Sequence, residues 1–572
     1  MYKLILVILL FSSAHIGLYS QVSFTEIYTN IQTLSKSACA WGDYDNDNDL
    51  DLLITGAKSS NEGDFFAAVY RNDGNGVFTN INAELTGVYD GDAGWSDLDR
   101  DGDLDFVYSG VFYYHFPAAT TVMKTFIYRN NGDSTFSLTQ TLDDYGSTSI
   151  GDYNNDFLPD IFGTGCVYYN IINDAQTIVS YADIFSNNGN CTFTKLNVSL
   201  PTGALDCCDY NKDGYADLIS SRYQTEILIN DKNGNFVSSG ISFPFGAQNS
   251  YDIADYDDDG DEDFAFAGNN VTKIYKNTNG MFTEIATELE GMSDDYSYCR
   301  WGDINNDGKN DLLISGYSLL ENDWATKIYL NKGNDVFQLV PEKGSPFRLV
   351  GLYKVFLGDY DSENDLDVLC IGNGNENITR LFKNTGSLNL KPEVPTNLDM
   401  MSELGYFTLT WDPAIDDRTP QSGLSYNIYL STSPTLINLL SPMSSITNGY
   451  KRTVSTGNAK ECTSVTINGL PEGIYYWSVQ AVDNSMAGSG FAPMQSILVN
   501  NSPQNVTILT SGTEIKLTWT EVNGAASYKI FESDDPYGIY KDVSDLGTFA
   551  GTSWTASGLD MKKFYYVVAA AE

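Results

Sequence analysis

Positive charge and histidine are scarce in this sequence of 572 residues. It contains 32 lysines and arginines against 75 aspartates and glutamates, a formal net charge of −43, and it has two histidines. Such a surface repels nucleic-acid phosphates and anionic lipid headgroups and attracts cations. Only His115 lies beyond the first 20 residues, and no Gly-x-Ser-x-Gly motif is present, so acid–base and nucleophilic catalysis have few candidate groups. The sequence therefore predicts a protein that is not an enzyme and has no nucleic-acid partner.

Long hydrophobic runs are also lacking. The one marked apolar run, Leu4–Phe11, follows Lys3 and precedes small residues, which is the layout of a secretory signal peptide over residues 1–20. Cleavage is expected after Ser20 or Ala14. No later segment reaches the roughly 18 apolar residues of a membrane helix. We predict a secreted, extracellular or cell-surface protein without a transmembrane segment.

Helical periodicity is missing as well. No window keeps an apolar period of 3.6 residues, and the 50 glycines are scattered through the chain. Short apolar and aromatic runs bounded by Asn and Gly instead predict β-strands joined by tight turns. The eight cysteines follow no disulfide framework, and we expect buried thiols that behave as small apolar residues. Cys166 with Cys191 is the one pair for which a disulfide deserves a test.

Aspartates cluster in seven acidic loops, numbered here one to seven in chain order. Each has Asp at its first and ninth positions, Asp or Asn at its third, and Asp or Glu at its fifth, and successive loops begin 46 to 57 residues apart. The residues are Asp43, Asp45, Asp47 and Asp51 in loop one; Asp97, Asp99, Asp101 and Asp105 in loop two; Asp152, Asn154, Asp156 and Asp160 in loop three; Asp209, Asn211, Asp213 and Asp217 in loop four; Asp255, Asp257, Asp259 and Asp263 in loop five; Asp303, Asn305, Asp307 and Asp311 in loop six; and Asp359, Asp361, Glu363 and Asp367 in loop seven.

This spacing suits calcium. Ca²⁺ takes six to eight oxygens at about 2.3 to 2.6 Å, and side chains at positions one, three, five and nine, the carbonyl at position seven and water supply them. We predict up to seven structural calcium ions, with loops one, two and five the strongest sites. The alternative is that these aspartates only cap their own backbone turns.

Two positions refine the calcium prediction. Position six needs a sharp turn, which Gly or Asn provides in six of the loops. Phe157 stands there in loop three, so that site is predicted to be the one most prone to be empty or distorted. An EF-hand is excluded, because Ile54, Tyr108 or Phe266 occupies the twelfth position, where an EF-hand needs a glutamate.

Each acidic loop belongs to a repeat of four strand-like segments. The segments include a hairpin with Asn and Gly in its turn, such as IYRNNGDSTF at Ile127–Phe136. The seventh repeat lacks its outer strand, whereas Phe24–Ile31 near the N-terminus is a strand without a repeat. We predict that residues 21–390 form a seven-bladed β-propeller closed by this N-terminal strand, which leaves no free sheet edge there.

The pattern changes after a linker at residues 391–396. Alternating strands with Leu409–Trp411 and Tyr475–Asp483 occupy residues 397–500, and a second copy with Leu517–Trp519 occupies residues 501–572. Both resemble fibronectin type III sandwiches with a tryptophan anchor in the core. The second copy stops where its sixth strand should end, so we expect its last strand to be absent or supplied from elsewhere. The fold class is all-β throughout.

The acidic loops and their repeats resemble the FG-GAP (VCBS-type) repeats of integrin α-chain propellers and of many exported bacterial proteins. The resemblance covers about Gln21 to Leu390. It implies that the metal loops join the two inner strands of each blade on one face and that ligands bind the other face. A protein or carbohydrate ligand and a role in adhesion or recognition follow from it.

The ligand-binding candidates are aromatic residues in two long connections, Val111–Met123 and Cys166–Asp183. They are Phe112, Tyr113, Tyr114, His115, Tyr168 and Tyr169. The alternative is that these rings only pack against their own connections. Two other functions stay open: a calcium-dependent polysaccharide lyase or accessory protein, since some lyases have propellers of related appearance, and a passive structural spacer of the cell envelope.

Overall fold

The computed structural model describes residues 22–570 except 60–63, 116–119, 171–175, 199, 222–223, 245–249, 294–296, 342–353, 374–376, 404–405, 469, 500–501, 523–524, 537 and 558–562. The predicted signal peptide lies outside the described residues. The described chain is β-structure joined by turns, with a single described 3-10 helix at Ser544–Leu546. Within this part of the chain, no helix is long and apolar enough to cross a membrane.

Seven four-stranded antiparallel sheets occupy the chain between residues 24 and 384. The first strands are β2 (Ser35–Gly42), β6 (Ala93–Ser96), β10 (Ser147–Gly151), β14 (Ala204–Cys208), β18 (Ser250–Ala254), β22 (Tyr298–Gly302) and β26 (Lys354–Gly358). The second strands are β3 (Asp51–Ala57), β7 (Asp105–His115), β11 (Asp160–Asn170), β15 (Asp217–Ser221), β19 (Asp263–Gly268), β23 (Asp311–Ser318) and β27 (Asp367–Asn373).

The outer half of each sheet contains a third and a fourth strand. The third strands are β4 (Phe65–Asn72), β8 (Thr120–Asn130), β12 (Gln176–Asn187), β16 (Thr225–Asn230), β20 (Val271–Thr278), β24 (Asp323–Asn331) and β28 (Asn377–Asn384). The fourth strands are β5 (Phe78–Asn80), β9 (Phe136–Asp143), β13 (Phe193–Lys195), β17 (Phe236–Phe243), β21 (Met281–Glu284), β25 (Phe337–Leu339) and, for the seventh sheet, β1 (Phe24–Ile27).

The seventh sheet takes its outer strand from the N-terminus. Strand β1 pairs antiparallel with β28, with Phe24 opposite Asn384 and Ile27 opposite Leu381. This pairing was predicted from the strand that had no repeat of its own, and it gives the outer edge of β28 a hydrogen-bonded partner.

A hydrophobic core lies between each pair of successive sheets, and the last core joins sheet seven to sheet one. The second strands supply it, because adjacent apolar residues of one strand point to opposite faces. The pairs of residues that share a core are Leu53 with Phe106, Val107 with Ile161, Phe162 with Leu218, Ile219 with Phe264, Ala265 with Leu312, Leu313 with Val368, and Leu369 with Leu52. The sheets therefore follow one another in a closed circle of contacts.

Two pairs of packed sheets follow the circle. The first pair, called the first sandwich below, consists of β29 (Thr396–Glu403), β30 (Tyr406–Asp412) and β32 (Ser464–Asn468) against β31 (Ser425–Ser431), β33 (Gly473–Val482) and β34 (Gln495–Val499). The second consists of β35 (Thr507–Ser511), β36 (Glu514–Thr518), β40 (Ser553–Ser557) and β39 (Gly547–Phe549) against β38 (Lys541–Asp542), β37 (Ser527–Ser533) and β41 (Phe564–Ala570). Trp411 and Trp477 anchor the first core, and Trp519 and Trp554 the second.

The cysteines that the structure describes are free thiols. Five of them are buried, namely Cys39, Cys191, Cys208, Cys299 and Cys370, as expected for small apolar residues. The Sγ atom of Cys191 lies 3.3 Å from Oδ2 of Asp105, so the disulfide considered for Cys191 is not formed. The side chain of Cys166 lies outside the described residues.

Candidate metal centres in the acidic loops

Each acidic loop joins the first strand of a sheet to its second strand, and the Asp at position nine is the first residue of that second strand. Positions four and six of all seven loops have left-handed backbone. The φ angles at position four are 63° at Asn46, 62° at Arg100, 57° at Asn155, 57° at Lys212, 60° at Asp258, 56° at Asn306 and 63° at Ser362. Those at position six are 72° at Asn48, 95° at Gly102, 70° at Phe157, 82° at Gly214, 84° at Gly260, 86° at Gly308 and 67° at Asn364.

Loop three keeps this backbone even though position six carries a phenylalanine. A side chain in the left-handed region costs roughly 1 to 2 kcal/mol. The Phe157 ring packs against the hydrophobic core of the first sandwich, and this burial offsets the backbone strain. Loop three thus has the same left-handed positions as the other loops, and the expectation that its metal site is empty or distorted stays a prediction.

The Asp at position one caps the turn of its own loop. In loop one the carboxylate of Asp43 accepts hydrogen bonds from the backbone N–H groups of Asp47, at 3.1 Å, and Asn48, at 3.2 Å. The equivalent bonds recur in loops three to seven, and loop two keeps the bond from the position-six N–H. The aspartates at this position therefore cap their backbone turns, and metal binding by the same carboxylates stays a prediction.

The Asp at position nine joins the loop to the hairpin. Asp51 accepts hydrogen bonds from the backbone N–H of Tyr44, at 3.1 Å, and of Asn72, at 2.8 Å. The Asn72 amide then donates to the carbonyl of Tyr360 in the neighbouring sheet, at 2.7 Å. An Asn stands at this place in each third strand, at Asn72, Asn130, Asn187, Asn230, Asn277, Asn331 and Asn384. Sequence reasoning missed this role, although the repeated Asn was its visible signal.

Capping leaves several loop oxygens without a partner. Among the described residues, these buried side-chain oxygens accept no hydrogen bond: Oδ1 of Asp45, Asp49, Asp97, Asp257, Asn305, Asp307, Asp361 and Asp365, and Oδ2 of Asp217. Leaving such groups dry and unpaired is costly. A cation is the partner that carboxylate and amide oxygens of this kind accept, and calcium prefers oxygen ligands. The residues present therefore fit a bound metal ion in six loops, with loop three the exception.

Four loops bring their acidic oxygens closest together. One oxygen from each member of the following groups lies within 4.8 Å of the others: Asp43, Asp45 and Asp51; Asp97, Asp99 and Asp101; Asp255, Asp257 and Asp259; and Asp359, Asp361, Asp365 and Asp367. These are loops one, two, five and seven, which have Asp rather than Asn at position three. Asp365 was missed, because position seven was expected to contribute only its backbone carbonyl.

Burial makes the ionised form of these carboxyl groups unfavourable. Desolvation is the main cause and raises the pKa of Asp43 and Asp152 to about 6, that of Asp97, Asp303 and Asp359 to about 7, and that of Asp255 to about 8 at position one. At position nine it raises the pKa of Asp217 to about 7, of Asp105 and Asp160 to about 8, and of Asp51 and Asp263 to about 9. A nearby divalent cation favours the ionised form.

The first sandwich covers this end of the sheets. Arg452 accepts a hydrogen bond at its carbonyl from the Asp43 N–H, at 2.9 Å, and Asn484 donates from its amide to the Gly308 carbonyl, at 3.0 Å. An ion pair of 2.9 Å between Nζ of Lys460 and Oε1 of Glu262 adds a third contact. The acidic loops consequently face another part of the same chain, and the opposite end of the sheets carries the hairpins between second and third strands.

Those hairpins are longest in sheets two and three. The connections expected to be loops are mostly paired strands: β7 and β8 pair as far as His115 with Thr120, and β11 and β12 as far as Asn170 with Gln176. The exposed Phe112 ring lies 6.3 Å from that of Phe126 on the same hairpin, which agrees with the packing alternative for this residue. The candidate residues Tyr113, Tyr114, His115, Tyr168 and Tyr169 lie in these strands, and their side chains lie outside the described residues.

Among solved structures, the chain is similar to a lectin of Agrocybe aegerita, whose structure is described as the basis of specific recognition of non-reducing terminal N-acetylglucosamine. The identity is 13% and the TM-score 0.35, and the match covers 78% of this chain and 98% of the lectin. AofleA from Arthrobotrys oligospora has 12% identity and a TM-score of 0.29 over 56% of this chain and 90% of its own. The FN1–FN3 domains of chicken CNTN1 have 14% identity and a TM-score of 0.15 over 47% of this chain and 90% of theirs.

The comparison with curated proteins gave no match. Residues 255–314 match the FG-GAP-like repeat family. This segment contains acidic loops five and six with strands β19 to β22 between them, so the chain is similar to that family over one complete period of its repeat.

Proposed function

We propose that the protein is a secreted or cell-surface recognition module, in which a calcium-stabilised seven-bladed β-propeller is followed by two fibronectin type III-like sandwiches. The buried loop oxygens without hydrogen-bond partners carry the calcium part of this proposal. They occur in six of the seven acidic loops, at positions one, three, five, seven or nine. The calcium ions are structural, because the first sandwich covers the loops and keeps ligands away from them.

The recognition surface is the opposite end of the sheets. Two neighbouring hairpins project farthest there, and both carry runs of aromatic residues, the side chains that dominate binding sites for proteins and carbohydrates. The carboxylates at the other end serve the loops and the interface with the first sandwich. A non-catalytic role in binding a protein or carbohydrate therefore accounts best for both ends.

Binding arrays test this proposal directly. Purified protein is applied to glycan and protein arrays in calcium and in EDTA, and the variant Y113A/Y114A is compared with Y28A as its control. Tyr28 is 91% exposed and follows β1, the outer strand of sheet seven, so it belongs to neither hairpin. We expect saturable binding in calcium that Y113A/Y114A loses and Y28A keeps. Equal binding by both variants, or no saturable ligand at all, would exclude this surface.

A further inference from the structure

The position before the hairpin Asn of each third strand carries a basic residue only where the acidic loop of the same sheet has Asp rather than Asn at position three. The residue before the hairpin Asn is Arg71, Arg129, Lys276 or Lys383 in sheets one, two, five and seven, and Ser186, Ile229 or Leu330 in sheets three, four and six. Position three of the loop is Asp45, Asp99, Asp257 or Asp361 in the first group, and Asn154, Asn211 or Asn305 in the second. The two positions agree in all seven repeats.

The basic side chains reach the outer oxygen of the position-three carboxylate. Nζ of Lys383 lies 2.5 Å from Oδ2 of Asp361 and 2.8 Å from Oε1 of Glu363 at position five. Lys276 pairs in the same way with Oδ2 of Asp257. In both loops the other oxygen of the position-three carboxylate, Oδ1, is buried and accepts no hydrogen bond among the described residues. The lysine thus binds the Oδ2 atom of the position-three carboxylate, and the Oδ1 atom remains available to a metal ion.

Sheets one and two have an arginine at this position. Nε of Arg129 lies 2.9 Å from Oδ2 of Asp99, and its Nη2 lies 3.4 Å from Oδ2 of Asp101. Arg71 pairs with Asp73 of its own hairpin instead, at 2.7 Å. The basic residue therefore contacts the position-three carboxylate directly in loops two, five and seven.

In two of the loops with Asn at position three, the amide replaces the basic residue. Nδ2 of Asn154 donates to Oδ2 of Asp156, at 3.0 Å, and Nδ2 of Asn305 donates to Oδ2 of Asp307, at 3.2 Å. The amide supplies both a ligand oxygen and a donor to the position-five carboxylate. Counted over positions one, three, five, seven and nine and the hairpin residue, loops one, two, five and seven carry a net charge of −4, loops three and four −3, and loop six −2.

We infer that Arg129, Lys276 and Lys383 are built-in counter-ions, which orient the position-three carboxylates of loops two, five and seven and keep these loops folded when no metal is bound. This inference rests on the proposed calcium sites. Calcium and the hairpin cation oppose the same repulsion between carboxylates. Removing the cation therefore destabilises the metal-free protein most, and calcium compensates for much of the loss.

Melting curves in EDTA and in saturating calcium test the inference with the variant K276M and the double variant D257N/K276M, which reproduces the Asn arrangement. K273M is the matched control, because Lys273 lies on the same strand and pairs with Glu284 outside the loop, at 2.5 Å. Melting curves of R129M/K276M/K383M, with and without D99N/D257N/D361N, extend the same comparison to three loops and should show a larger shift in melting temperature. If the combined variant does not fold, K276M alone still gives the result.

We expect K276M to lower the melting temperature in EDTA, calcium to remove most of that shift, and D257N/K276M to restore the value in EDTA. K273M should give the same small shift in both buffers. An equal shift of K276M in both buffers, or no restoration by D257N, would overturn the counter-ion role. A wild-type melting temperature that is the same in EDTA and in calcium would instead overturn the proposed metal sites. Failure of the counter-ion role and failure of the metal sites are therefore distinguishable.

Discussion

The side-chain amide of Asn72 donates a hydrogen bond of 2.7 Å to the backbone carbonyl of Tyr360, 288 residues away. It joins sheet one to sheet seven, while the N–H of the same Asn donates to Asp51 at 2.8 Å. Equivalent amides join sheets two to one, three to two, four to three, six to five and seven to six. Local turn residues thus contribute to the long-range order of the sheets.

Substituting Asn72 should weaken the junction between the first and last sheets. Asn72→Ala leaves the buried Tyr360 carbonyl without its donor, and such a loss costs about 1 to 3 kcal/mol. The free energy of unfolding measured by urea denaturation of the sheet region is expected to fall by this amount. Asn131→Ala is the matched control, since Asn131 is exposed and its side chain bonds to Thr135 and Ser137 of the same hairpin. Equal effects of the two substitutions would contradict the role of the junction.

Phe157 should hold the first sandwich on the acidic loops. Phe157→Gly removes the ring from the sandwich core and also relieves the left-handed backbone, so the two effects on stability oppose each other. Whichever of the two effects is larger, the contact between the Phe157 ring and the first sandwich is lost. Limited proteolysis at residues 391–396 should therefore be faster in this variant than in wild type. Asn364→Gly relieves a φ of 67° at the equivalent position without removing a ring, and its cleavage rate should stay unchanged; a faster rate in both variants would implicate the backbone.

Lys451 should make stability rise with pH. The side chain is 6% exposed, and Nζ has no hydrogen-bond partner among the described residues; desolvation lowers its pKa from 10.5 to about 7. Asp359 and Lys391 line the same small cavity. In the unfolded chain, the Lys451 amine keeps its proton up to about pH 10.5. Burial of the charged amine therefore lowers the free energy of unfolding by its full amount below pH 7, and this loss diminishes between pH 7 and 10.5.

Lys451→Met should consequently stabilise the protein, by up to about 5 kcal/mol below pH 7. The gain should shrink as pH rises towards 10.5, which denaturation at several pH values would measure. Lys529→Met is the control, since Lys529 is exposed and its substitution should show no such trend. A gain for Lys451→Met that is the same at pH 6 and pH 10 would contradict burial of a charged amine.

Local pattern was sufficient to predict the repeated parts of the fold. The strand alternation around each acidic loop, the Asn and Gly turns and the unassigned strand at Phe24–Ile31 are short-range signals, and they predicted an all-β chain and the pairing of the N-terminal strand with the seventh sheet. The extension of β7 and β8 through Tyr113 and Tyr114 was missed, because aromatic residues suit an exposed connection as well as a paired strand.

Long-range contacts account for the other misses. The contact between Phe157 and the first sandwich, and the bond between Asn72 and Tyr360, depend on how distant parts of the chain meet, which periodicity does not encode. The role of position nine in the acidic loops was likewise only partly predictable from the sequence. Asp51 was assigned as a ligand from spacing alone, yet both of its oxygens also accept backbone N–H groups, and only the structure shows this double use.

Calcium binding to chelator-stripped protein, followed by isothermal titration calorimetry and metal analysis after desalting, tests the central claim most directly. We predict several calcium ions per chain, up to seven, and one fewer in D255N/D257N/D259N. The control D412N/D534N/D545N changes the net charge equally through three exposed aspartates and should bind as many ions as wild type. Absence of bound calcium in the wild type, or an unchanged number in D255N/D257N/D259N, would contradict the account.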